Sequence, residues 1–125
     1  MTDTLLVALV STGAVDKQIE ASLRLVIEKK NAVADLEAKE EVLQKESQDI
    51  FDDQARLREN IKSLGATPDA RDLVQRYTSR LNQQEDRLEV IKKESAVLAQ
   101  RKEAAGEELQ AVIGHLAAQA NDNAR

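Results

Sequence analysis

The chain contains no cysteine and no tryptophan, one phenylalanine, one tyrosine, one proline and one histidine. Without cysteine there is no disulfide framework and no thiolate metal site, and cysteine usage says nothing about the redox compartment. A lone histidine excludes a multi-histidine metal centre. Aromatic residues make up 2% of the chain, too few for a wide core built on large buried rings. Long apolar runs are also missing. The longest near the N-terminus, Leu5 to Val10, covers six residues, whereas a membrane span needs about 20. A secretory signal needs a basic start and a longer apolar run, and Asp3 stands where the basic charge belongs.

What remains is a chain of 125 residues with 33% charged side chains and a net charge of −5. Its length suits one domain. The acidic balance argues against general nucleic-acid binding. Alanine, leucine, glutamate, lysine, arginine and glutamine dominate, as in long helices and coiled coils.

From Asp16 to Leu64, and again from Asp69 to Ala105, there is neither glycine nor proline. Both stretches follow the alternating three-and-four spacing of a helical seam. In the first, the seam starts at Val15, Ile19, Ser22 and Val26. It runs on through Lys29, Val33, Leu36, Glu40, Leu43, Ser47, Ile50, Gln54, Leu57 and Ile61 to Leu64. In the second it starts at Val74, Tyr77, Leu81 and Gln84. It continues through Leu88, Ile91, Ser95, Leu98, Lys102, Ala105, Leu109 and Val112 to Leu116. Neither stretch alternates with period two, so strands are not expected.

Between the stretches lies "LGATPDARD", residues 64 to 72. Gly65 suits a left-handed C-terminal cap. Thr67 offers a side-chain oxygen as N-cap, and Pro68 fits the first helical position. Asp69 and Asp72 complement the dipole of the helix that follows. A stop followed at once by a start leaves a turn at 65–67, short enough to join antiparallel neighbours. The expected fold is all-α. It is a long antiparallel coiled-coil hairpin with arms 16–64 and 68–118, each roughly 70 Å at about 1.5 Å per residue.

If Leu64 faces Val74, facing residue numbers sum to 138. Gln54 then faces Gln84. Two amides that bond each other would penalise any slip placing one against leucine, a register lock. The same numbers leave the middle shaft thinly apolar, with Leu36 opposite Lys102 and Leu43 opposite Ser95. At the base, "ASLRLVIEKK" and "LQAVIGHLAA" are apolar over more than one helix face. A two-helix seam cannot cover so much, so a third element is required. The candidate is segment 1–15, as a short N-terminal helix around Thr4–Val10 packed at the base, with a strand as the alternative. The polar tail 119–125 is expected to fray.

No chemistry emerges. His115 falls at the base near Ser22 and Leu23, where a structural or surface role is expected. Asp52 and Asp53 are adjacent, and neighbouring helical positions point about 100° apart, so they do not converge on one metal. There is no phosphate loop and no nucleophile motif. No enzyme activity, cofactor or metal is expected. One charge asymmetry stands out. Around the turn, Arg56, Arg58, Lys62, Arg71, Arg76 and Arg80 oppose only Glu59, Asp69 and Asp72, a net +3 on an acidic chain. The tip either meets an acidic partner or is a solvated face with pairs such as Arg56 with Glu85, and the second is expected.

"DIFDDQARLRENIKSLG" and "LVQRYTSRLNQQEDRLE" resemble the helical hairpin near the C-terminus of a bacterial family often labelled mucoidy-inhibitor-like. The resemblance spans roughly residues 3–116. The matching positions are Asp53, Gln54, Arg56, Arg58 and Asn60, then Arg76, Tyr77, Gln84, Glu85, Arg87 and Leu88. It implies a preceding β-rich domain of unknown function that would cover the apolar base, and it supplies no reaction. The family label also implies an association with the cell envelope. The reading reached here is a non-enzymatic association module, acting as a rigid arm or forming a dimer through the base and shaft. The alternative is a partner-binding or chaperone-like hairpin that uses its basic tip.

Overall fold

A computed structural model of the chain describes residues 17–65 and 67–124. They form two long helices packed antiparallel, an all-α helical hairpin. The first, α1, is Lys17–Leu64, and the second, α2, is Arg71–Ala124. A single 3₁₀ turn, Pro68–Ala70, leads into α2. The described residues include no separate short helix before α1. The N-terminal helix expected within 1–15 lies outside them.

The three-and-four spacing accounts for what is buried. Every seam position from Ile19 to Leu64 on α1, and from Val74 to Leu116 on α2, is buried or half-buried. The chain divides into two compact units. In the unit formed by residues up to Glu37 and from Gln100 onward, Ile19, Leu23, Val26 and Leu116 form the core. Ile27, Leu109 and Val112 pack against it. Ser22, itself buried, donates to Gln119 Oε1 at 2.6 Å, and Lys29 reaches Glu108 at 2.9 Å. In the unit Ala38–Ala99, the buried hydrophobics are Leu43, Leu57, Ala70, Ile91 and Leu98.

The turn corrects one expectation and extends one arm. Gly65 has φ of +67°, a conformation that L side chains rarely adopt. Thr67 occupies the N-cap position, but its hydroxyl makes no capping bond. Its backbone carbonyl instead accepts the Ala70 N–H at 3.1 Å, closing the 3₁₀ turn and using the donor a side-chain cap would have taken. Pro68 opens that turn, where a missing N–H costs nothing. At the other end, the tail expected from 119 is helical through Ala124. Gln119 is half-buried and anchors this last stretch through Ser22, so the polar sequence does not end the helix.

Gly65 and Gly106 are both open, with nothing within 4 Å of an added Cβ, but only Gly65 has positive φ. Gly65→Ala should therefore cost about 1 kcal/mol through backbone strain alone. Gly106→Ala, inside α2, should stabilise by roughly 0.5–1 kcal/mol. Urea unfolding midpoints of the two variants should move in opposite directions.

Candidate functional site

The polar content of the 38–99 unit is concentrated at one level of the hairpin. Gln54 is 2% exposed, the most buried polar side chain among the described residues. It donates to Glu85 Oε1 at 2.9 Å, and Gln84 donates to Asp53 Oδ2 at 2.6 Å. The two bonds run between α1 and α2, and their residue numbers sum to 139 and 137. They straddle the expected register. The expected bond between the two glutamines is absent: Gln84 Oε1 is buried with no hydrogen-bond partner. Each amide has found an ionised carboxylate, a stronger acceptor than another amide.

Asp53 is the hub. It receives Arg56 Nε at 3.0 Å from its own helix and pairs with Arg80 at 3.2 Å from the other. About two turns further along, Arg87 grips both oxygens of Glu46, with the Nη2 contact at 2.8 Å. The expected partner of Arg56 is Glu85. In the structure Arg56 turns to Asp53, three residues back on α1, and Glu85 is occupied by Gln54. Asp53, Glu85, Glu46 and Arg87 were not singled out as a constellation. The available signal was their position: Asp53, Glu46, Arg80 and Arg87 each precede a seam residue by one.

The six basic tip residues are all exposed. Arg56 and Arg80 are tied to Asp53. Arg58, Lys62, Arg71 and Arg76 have no ion pair among the described residues. The apolar tip residues Ile61, Leu64, Val74 and Tyr77 are half-buried along the seam. A shallow depression at the start of α2 is lined by Asp72, Gln75, Arg76 and Ser79, all from one helix face. His115 is exposed beside buried Leu116. Asp52 accepts from Gln48 at 3.1 Å while Asp53 faces the arginines, so the adjacent carboxylates diverge. Among the described residues no group of three or more potential metal ligands comes together, and no helix is long and apolar enough to cross a membrane.

The class that fold and site define is an antiparallel helical hairpin with a buried amide–carboxylate layer. No family model, curated protein or solved structure matches the chain.

The arginine contacts set a pH dependence. The Arg56 hydrogen bond, assisted by Gln84 and by the charges of Arg56 and Arg80, holds the Asp53 carboxyl below its ordinary value of 3.8 against the opposing effect of partial burial. Glu46 is held below 4.5, chiefly by the Arg87 hydrogen bond. A carboxyl lowered in the folded state adds stability that is present in full above its ordinary value and is lost as pH falls through the folded one. Stability to urea should therefore drop as pH is taken below about 4. Asp53→Asn should lower stability at pH 7 and flatten the acid limb. An acid limb identical to that of the parent chain would show that the cluster adds nothing.

Proposed function

We propose that this chain is a non-enzymatic coiled-coil association module that pairs with a second copy of itself. The observation that supports this best is the imbalance between seam and surface. Among the described residues, nine hydrophobic side chains are buried, and one of these is only an alanine. Seven large ones remain exposed: Leu25, Val42, Phe51, Leu73, Val90, Val97 and Ile113. Single exposed apolar residues are ordinary, but here they nearly equal the buried ones. Two helices offer one seam, and pairing two hairpins supplies the further seams of a four-helix arrangement.

The second reading is a hairpin that binds an acidic partner through its tip. Four exposed cations without an ion pair among the described residues favour it: Arg58, Lys62, Arg71 and Arg76. The half-buried state of the apolar tip residues leaves that contact chiefly electrostatic, so it would weaken steeply with salt.

Sedimentation equilibrium across concentration separates the two. Self-association predicts a mass rising from 13.8 kDa to twice that value as concentration increases. A mass fixed at the monomer value over the whole accessible range would overturn it. The exposed apolar residues would then belong to another domain or partner.

A further inference from the structure

The exposed hydrophobic residues of the 38–99 unit are not scattered. Val42 and Val97 each precede a buried leucine by one position, Leu43 and Leu98. Val90 likewise precedes buried Ile91. In an antiparallel pair, equal offsets from the seam lie on the same side, because reversing the chain direction also reverses the sense of rotation. The structure carries its own check on this rule. Glu46 and Arg87, each one before a seam residue, bond to each other, as do Asp53 and Arg80. One side of the unit therefore reads, from the tip inward, Asp53–Arg80, then Glu46–Arg87 with Val90 beside it, then Val42 and Val97. Their residue numbers sum to 139, so Val42 and Val97 lie at one level. They are 65% and 44% exposed. Phe51 follows a seam residue and lies on the opposite side.

We infer that the Val42–Val97 side is the self-association surface, and that a second copy packs on it antiparallel, with a two-fold axis crossing both valines. This rests on the self-association reading and specifies where it occurs. The charges flanking the valines select the second copy as occupant. On α1, Lys39 stands three residues before Val42 and Glu46 four after. The pair straddles Val42 with opposite signs. An antiparallel copy turned about the valines therefore brings Lys39 to the other chain's Glu46. A parallel copy would set like charge on like. Lys39 has no ion pair among the described residues, so it is available. Glu46 is 35% exposed at its side chain and keeps acceptor capacity beside Arg87. Apolar centre, polar flanks and self-complementary charge are the features of an isologous contact.

The chain's lack of cysteine makes the test direct. Val42→Cys and Phe51→Cys are each introduced alone, and the purified chains are treated with a short bismaleimide at the concentration where sedimentation finds the parent dimer. Both positions are exposed, so neither change should unfold the chain, and circular dichroism checks this. The expected result is a covalent dimer from Val42→Cys and little from Phe51→Cys. Lys39→Glu should raise the dimer dissociation constant roughly tenfold, since it converts two symmetric attractions into repulsions. A parent chain that dimerises while Phe51→Cys crosslinks as well as Val42→Cys, or while Lys39→Glu changes nothing, would overturn this surface and leave self-association standing. A parent chain that is monomeric throughout would overturn both.

Discussion

Two helices in contact share one seam, and each can bury only the narrow stripe that faces the other. Everything else about this protein follows from that limit. Residues at three-and-four spacing, most of them apolar, fill the stripe, and every such position on both helices is at least half-buried among the described residues. The stripe is too narrow to hold the remaining hydrophobic side chains. The chain has almost no aromatic residues with which to widen it. The fold is therefore complete as a pairing of helices and incomplete as a burial of apolar surface. Leu57, fully buried, and Val42, largely exposed, are fifteen residues apart on one helix and show the two outcomes.

The polar layer shows what seam geometry allows inside that stripe. A buried glutamine amide cannot be left unbonded without a cost of about 1–3 kcal/mol. Gln54 and Gln84 resolve this by reaching across the pair to Glu85 and Asp53, each one residue beyond the other glutamine's level or short of it. The arrangement is crossed and charge-assisted. It leaves Gln84 Oε1 unsatisfied, so the layer is not optimised for stability. A slip of either helix would separate two amide–carboxylate bonds and the Arg80 contact on Asp53 together. That loss opposes alternative registers even where the apolar seam alone would tolerate them.

The parts legible in the sequence were those set by periodicity and by backbone chemistry. Helix type, antiparallel pairing, the seam residues and the left-handed Gly65 all depend on spacing or on a single special dihedral. The parts that were not legible depend on which of several reachable partners a side chain selects. Arg56 could reach an acid on its own helix or one across the pair, and the sequence ranks neither. Thr67 could cap with its hydroxyl or with its carbonyl, and the 3₁₀ turn settled that locally. The polar stretch after residue 118 carries no helix signal of its own. It is held by a contact between Ser22 and Gln119, 97 residues apart, that no local reading could supply.

Position relative to the seam also links the ion pairs to the exposed valines. The residue just before each seam position lies on one side of the pair, and along that side the sequence changes character. Near the polar layer the side is closed by Asp53–Arg80, while Glu46, bonded to Arg87, is still part-exposed and keeps acceptor capacity. Further from the tip the same offset holds Val42 and Val97, which cannot satisfy each other against water. The α1 charges that flank Val42, Lys39 and Glu46, are opposite in sign. A solvated face has no need of that symmetry, and a like-charged flank would serve solubility better. An antiparallel copy is the one arrangement that uses both the apolar centre and the sign change at once. The proposed association surface is thus the continuation, onto a second molecule, of the same offset rule that pairs the two helices within one.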